Sequence, residues 1–172
     1  TTVAMEDKIQ QLTELAGKVV ERALAGGVDV AEAVARSGSE LSTKVRLGKP
    51  EHVEEAGHHG LGLRVIKDKR VALTSTSDLT DKGIERFLQD AFELVEVSQE
   101  DPFAGPADPA LIAKELPSTD ELYDSTIDEV TAEQAIAWAC EGEQAARDAD
   151  ERITNSDGAT FSRVAGAFAM VL

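Results

Sequence analysis

Three segments of the chain repeat apolar residues at steps of three and four, the spacing of one face of an α-helix. The first helix is predicted over residues 5–25. The second follows Asp78 or Thr80 as N-cap, and the third begins at Thr131, which forms a capping box with Gln134. The predicted apolar faces of the three helices are Ile9, Leu12, Leu15, Ala16, Val19, Ala23 and Leu24; Ile84, Phe87, Leu88, Ala91, Phe92 and Val95; and Ala135, Ile136, Ala139, Cys140, Ala145, Ala146 and Ala149.

Between residues 28 and 77 the apolar period changes to two, which predicts short, half-buried strands. Their connections are too short for parallel crossovers, so most of the pairing must be antiparallel. The run Gly48-Lys49-Pro50 separates two of the strands, and the polar residues 67–70 form a hairpin loop between two others. The predicted strands cover residues 31–37, 41–47, 52–56, 61–65 and 71–75.

The C-terminal half begins with a proline-rich stretch over residues 99–127, which favours an extended strap. Asp108 and Pro109 predict one short helix within it, over residues 110–115. After the third helix, residues 152–154 and 160–172 predict a β-hairpin around a turn at 156–158.

The last six residues are all apolar and contain no turn signal, so we expect the chain to continue into a further domain. The predicted fold class is α+β: an antiparallel sheet packed by helices, a proline-rich strap, a third helix, and a terminal β-hairpin leading to an absent C-terminal domain. We predict an N-terminal α+β domain over residues 1–100, the strap over 101–130, and the helix plus hairpin over 131–172.

Charge and cysteine content narrow the function classes. The formal net charge of the 172 residues is −16, and residues 85–152 carry 19 acidic against 4 basic side chains. Phosphate backbones would be repelled by such a surface, so we expect no nucleic-acid partner. No apolar run is long enough to cross a membrane, and the single cysteine fits a reducing, cytoplasmic compartment.

Candidate chemistry is sparse. His52, His58 and His59 lie within eight residues, but their spacing matches no zinc motif, and neighbouring strand residues point to opposite faces. Cys140 lies beside two glutamates, which disfavour a reactive thiolate. The chain contains no nucleophile elbow, P-loop or H-E-x-x-H motif. We therefore predict no catalytic, cofactor-binding or metal-binding residue on this chain.

Several runs, in their order and spacing, resemble the TldD/PmbA family. The resemblance extends from about residue 9 to residue 172, and the Ser-Thr-Ser-Asp-Leu and Arg-Ile-Thr-Asn segments look more like the PmbA (TldE) subunit than like TldD. The matching runs are residues 60–65 followed by 75–79 before a helix, residues 100–105 followed by 107–109, and residues 150–162 at the end of an alanine-rich helix.

The resemblance implies a cytoplasmic zinc-dependent metalloprotease family, also called modulator of DNA gyrase. It implies that zinc is bound by a C-terminal H-E-x-x-x-H helix of a TldD-type sister subunit, and that PmbA lacks this motif and pairs with TldD as a heterodimer. Leader-peptide removal and antitoxin degradation are the activities implied for the complex. None of the implied zinc residues falls on this chain.

For this chain the resemblance implies a scaffold that assembles with a TldD-like sister subunit, or with itself, and admits unfolded peptide. A peptide or partner strand would add to an exposed sheet edge through main-chain hydrogen bonds. An acidic protein-binding adaptor without a protease role is the main alternative, and a metalloprotein that uses the three histidines is a second. The candidate partner-strand residues are Thr160, Ser162, Val164, Gly166, Phe168 and Met170.

Overall fold

A computed structural model describes residues 2–112, 114 and 122–172, with side chains from residue 5 onward. Its elements follow in the order α1 (Thr2–Ala25), β1 (Val30–Arg46), β2 (Lys49–Lys67), β3 (Arg70–Thr76), α2 (Asp81–Val97), a 3₁₀ helix (Ser125–Glu129), α3 (Ala132–Asp148) and β4 (Ala159–Val171).

The strands form one four-stranded sheet in the order β3-β2-β1-β4. β2 and β3 are antiparallel, with Leu63 opposite Thr74. β4 is antiparallel to β1, since Thr43 donates to the Phe161 carbonyl while Gly38, earlier on β1, lies against Ala165, later on β4. The predicted α+β class with an antiparallel sheet is confirmed. No helix in the described part of the chain is long and apolar enough to cross a bilayer.

The chain divides into two compact units. The first unit comprises residues 1–37, 59–118 and 167–172, and the second comprises residues 38–58 and 119–166. β1, β2 and β4 each contribute residues to both units. The boundaries predicted near residues 100 and 130 stay predictions.

The core of the first unit lies between the two helices and the strands. α1 and α2 turn their apolar stripes inward, and β1 offers alternating alanines to them. Small strand residues let a helix approach closely, so the larger side chains come from the helices and from β2. Each fully buried Leu, Val or Phe stabilises the fold by about 1.5–3 kcal/mol. The buried positions include Leu12, Ala16, Val19, Ala31, Ala33, Ala35, Leu61, Leu63, Val65, Phe87, Leu88 and Val95.

Both short hairpins turn on two residues with positive φ. Leu47 and Gly48 have φ of 51° and 72°, and Asp68 and Lys69 have φ of 47° and 62°. Two consecutive residues with positive φ are typical of type I′ turns, whose backbone twist matches that of the two strands they connect. The hairpin predicted across residues 67–70 is therefore confirmed, although it contains no glycine.

The start of the strap is held in the first unit by basic side chains of β2, β3 and the turn between them. Arg64 and Lys69 each donate to a main-chain carbonyl near the start of the strap, and Arg70 donates to the carbonyl of Ser98, the residue that caps the C-terminus of α2, so these backbone acceptors are satisfied without regular structure. The bonds are Arg64 to Gly105 at 3.2 Å, Lys69 to Ala104 at 3.1 Å and Arg70 to Ser98 at 3.0 Å.

The number of strands predicted from the sequence was wrong. The segments 31–37 and 41–47 are one strand, β1, and 52–56 and 61–65 are one strand, β2. The polar residues between the apolar runs do not break the strands. They continue them because β1 and β2 are neighbours in the sheet along these segments, and solvent accepts the polar side chains.

The predicted terminal hairpin is also wrong. Residues 151–158 form turns and irregular chain, and β4 takes β1 as its neighbour. Asp150 accepts hydrogen bonds from the Arg152 backbone N–H at 2.9 Å and from its guanidinium at 2.8 Å. This local capture of a backbone donor competes with strand pairing at residues 152–154.

Two helical predictions need correction. The first is the short helix predicted over residues 110–115. Residues 109–112 form turns instead, and Asp108 accepts a hydrogen bond from the backbone N–H of Ala110 at 2.9 Å. Residues 113 and 115 lie outside the described residues.

The second is the apolar face of α3. Ala135, Ala139 and Glu143 are buried, whereas the predicted face positions Ala145, Ala146 and Ala149 are exposed.

Alanine substitutions at two glycines, one within α1 and one just after it, should change the stability of the fold in opposite directions. A Cβ at Gly26 would lie 2.2 Å from Phe92 Cζ, whereas a Cβ at Gly17, within the helix, meets nothing within 4 Å. We expect Gly26→Ala to lower the free energy of unfolding by about 1–3 kcal/mol through overpacking. Gly17→Ala should raise it by about 0.5–1 kcal/mol. Urea unfolding of both variants checks this pair, and equal effects would contradict the packing of Phe92 on Gly26.

Candidate functional site

The outermost strand β4 presents one row of side chains to solvent. Along it, even-numbered residues are exposed and odd-numbered residues are buried or half-buried. Val164, Phe168 and Met170 are 63%, 71% and 59% exposed. β4 ends the strand order, so within the described residues one of its edges has no neighbouring strand. All six candidate partner-strand residues lie in the exposed row: Thr160, Ser162, Val164, Gly166, Phe168 and Met170.

β4 is fastened within the second unit from both of its faces. Ser162, in the exposed row, and Ser42 share a hydroxyl hydrogen bond of 3.1 Å, and the Thr43 hydroxyl donates to the backbone carbonyl of Phe161. The ring of Phe161 lies 5.1 Å from that of Trp138 on α3, at a tilt of 55°. These contacts hold the strand so that its outer side chains stay exposed.

Arg163 is the buried cation of this strand, with 8% of its surface exposed. Its guanidinium donates to the Val130 carbonyl at 3.3 Å, to Glu55 at 3.3 Å and more weakly to Ser39. A buried charge is tolerated only when hydrogen-bonded and paired. Arg163 therefore connects β4 to β1, to β2 and to Val130, two residues before α3, all within the second unit.

Glu143 on α3 is the buried anion of the same unit, with 3% of its surface exposed. Its two carboxylate oxygens accept from the backbone N–H groups of Leu47 and Gly48, each at 2.8 Å. The hydrogen bonds from Gly48 and then Ser156 lower the pKa of Glu143, because they stabilise its charged form. The carboxylate thus caps the turn between β1 and β2.

The structural role of Glu143 was not predicted from the sequence, where it is only one of two glutamates that disfavour a reactive thiolate at Cys140. One signal was available: Glu143 follows Ala135 and Ala139 at steps of four, on the buried side of α3. An ionisable residue at the end of a small-residue stripe indicates a specific buried partner. Cys140 is half-buried and is a free thiol.

The three histidines make separate local contacts. His52 lies 3.1 Å from Glu54, the His58 ring fills the space above Gly38, and His59 Nε2 donates to the Ser77 carbonyl at 3.0 Å. Among the residues that the structure describes, no three side chains of metal-ligating type come together. The metalloprotein alternative therefore gains no support from this arrangement.

Comparison with solved structures defines the fold. A protein of Bacteroides thetaiotaomicron that carries the name modulator of DNA gyrase superposes over 92% of this chain and 36% of its own, with a TM-score of 0.81 and 24% identity. TldE from Thermococcus kodakarensis superposes over 91% of this chain and 38% of its own, with a TM-score of 0.65 and 16% identity. At these identities the likeness establishes the fold.

Sequence comparison establishes the family. Residues 31–95 match the model of the PmbA/TldA metallopeptidase domain 1. The chain is 32% identical to the metalloprotease PmbA of Escherichia coli O157:H7 over 93% of its length, and 32% identical to the PmbA homologue of Haemophilus influenzae over 96%. The chain belongs to the PmbA/TldD family, as the resemblance predicted. It spans 36% of the length of each of these two relatives.

Neutralising Glu143 tests the turn cap. We expect Glu143→Gln to lower the Tm at pH 7, since an amide offers one acceptor where two N–H donors converge. Because the folded-state pKa is lowered, the carboxylate stabilises the fold above its ordinary pKa of 4.5, and this contribution is lost as pH falls through the folded-state value.

Thermal unfolding from pH 7 to pH 3 measures both effects. The difference in Tm between the native protein and Glu143→Gln should shrink on acidification. Glu141→Gln, an exposed position on the same helix, is the matched control and should leave Tm unchanged. A difference that stays constant with pH would contradict the role of the ionised carboxylate.

Proposed function

We propose that this chain is the N-terminal part of a PmbA-type subunit in a TldD/PmbA metallopeptidase complex of the cytoplasm, where it serves as a scaffold that admits unfolded peptide. The family and the similarity to PmbA proteins support the subunit role. In this proposal a TldD-type sister subunit supplies zinc, which lowers the pKa of a bound water for attack on the peptide. This chain contributes assembly and substrate admission.

The observation that carries the proposal is the outer edge of β4. Its backbone has an open side in the described part of the chain, and apolar side chains line its exposed face. An extended segment from a peptide or from the sister subunit would gain main-chain hydrogen bonds along such an edge and bury these side chains. Exposed apolar edge strands otherwise promote aggregation, which favours a native occupant.

The subunit role is tested by mixing. Hydrolysis of an unfolded peptide is measured for the intact protein alone, for a TldD-type sister alone, and for both, each with and without a zinc chelator. We expect activity in the mixture and its loss on chelation. Chelator-sensitive activity from this protein alone would overturn the division of roles. Inactivity of every mixture would favour the acidic adaptor.

The role of the edge is tested by charge. Phe168→Lys places a cation at an exposed position of β4, and we expect it to weaken partner or peptide binding about tenfold or more, because burial of one large apolar side chain is lost. Leu73→Lys is the matched control, since Leu73 is 69% exposed on β3, the opposite edge strand. Analytical ultracentrifugation measures partner binding by both variants, and a peptide titration measures their binding of peptide. Equal losses in both variants would argue against β4.

A further inference from the structure

The first half of β2 is exposed on both faces and along its outer edge. Residues 49–59 are all exposed, whereas residues 60–67 are buried or half-buried. β3 pairs with residues 61–67 of this strand. Within the described residues no other strand lies on that side of β2, so its outer edge is open over residues 49–58. The outward N–H and C=O groups of such an edge are available to a further strand.

The sequence of this edge complements itself when it is read in reverse. If two copies pair antiparallel about Ala56, each Glu54 lies opposite His58 of the partner copy. Directly opposite side chains in such a pair point to the same face, with Cβ atoms about 4.5–5.5 Å apart. The pairing therefore forms two carboxylate–imidazole contacts, and it sets no like charges against each other over residues 54–58.

Charge and existing hydrogen bonds favour this register over its neighbours. A two-fold axis at Glu54 or at Glu55 would set that glutamate against its own copy, which is destabilising. An axis at Gly57 would pair Glu55 with His59, but both side chains are already hydrogen-bonded within the chain. The axis at Ala56 avoids both problems.

Glu54 and His58 are both able to accept a new partner. The contact of Glu54 with His52 uses one of its two carboxylate oxygens. His58 lies against Gly38, and its ring has no hydrogen-bond or ion-pair partner among the residues that the structure describes. Because alternate residues of a strand point to the same face, Glu54 and His58 share one face of β2.

The residues between them leave space for a second strand. Ala56 presents a single methyl group at the axis, and a Cβ at Gly57 would meet no atom closer than 3.9 Å. In this register Gly57 lies opposite Glu55 of the partner copy, so the ion pair of Glu55 with Arg163 keeps its space. Glycine within a strand is typical of a place where another backbone approaches closely.

We propose that two copies of this chain associate through residues 54–58 of β2, antiparallel and about a two-fold axis at Ala56. The partner is a second copy because the same segment supplies both the carboxylates and the imidazoles. A closed two-fold pairing covers the edge in both copies, so association ends at the dimer. This interface lies on a different strand from β4 and goes beyond the proposed function, in which β4 receives a peptide or a sister subunit.

Sedimentation velocity of the intact protein over a concentration series tests the interface. The buffer is at physiological ionic strength, which screens the repulsion between two chains of charge −16. We expect a reversible dimer. Glu54→His and His58→Glu should each raise its dissociation constant about tenfold, because each replaces two complementary contacts by like ones. The double variant exchanges the two groups and should restore the affinity. Glu51→His, at an exposed position of β2 outside the paired segment, is the matched control and should change nothing.

A protein that is monomeric at every concentration would overturn the proposal, as would a double variant that stays as weak as the single variants. Dimers that are kept in both single variants but lost in Phe168→Lys would assign self-association to β4 and also overturn it. Thermal melts of each variant distinguish a lost contact from a lost fold. The assay contains neither a sister subunit nor a peptide substrate, so its outcome is independent of the mixing assay for peptide hydrolysis.

Discussion

The pairing of β4 with β1 is the constraint on which the second unit depends. It brings Thr43 against Phe161 and Ser42 against Ser162, residues separated by 118 and 120 positions in the chain. The entropy of closing so long a loop grows only slowly with its length. The contacts at its end can therefore be few, provided that they are specific.

Specificity in the second unit comes from two buried charges of opposite sign. Arg163 and Glu143 are 8% and 3% exposed. Glu143 accepts from two backbone N–H groups, and Arg163 donates to the Val130 carbonyl and to the side chains of Glu55 and Ser39. A shift of β4 by one residue would turn Arg163 to solvent and bring Ser162 or Val164, neither of which carries a charge, to its partners. A shift of α3 would leave the turn at Leu47 and Gly48 without its acceptor. Burial of these charges therefore penalises alternative registers more than it adds to stability.

The same strand also connects structure to the proposed role. Its inward side chains help to hold the fold, and its outward side chains are exposed, although Ser162 among them also bonds to Ser42. The alternation of a strand separates these two tasks residue by residue. Membership of the PmbA/TldD family gives the exposed row a context, because the role proposed for this chain is to contact a peptide or a sister subunit.

Sequence alone determined the elements whose signals are local. The three helices, the capping box of Thr131 and Gln134, the hairpin at Asp68 and Lys69, and the α+β class all follow from periodicity and turn chemistry within a few residues. The family also followed from sequence, through runs spread over the chain. Strand lengths did not, because polar residues continue a strand when their backbone finds a ladder partner.

Tertiary structure alone decided which strand β4 joins, since a period of two is the same for every partner. It also decided that Glu143 is buried while the neighbouring alanines, Ala145 and Ala146, are exposed. That choice depends on two N–H groups of a turn almost a hundred residues earlier in the chain, at a distance of 2.8 Å from the carboxylate. No local pattern encodes a hydrogen bond between residues so far apart.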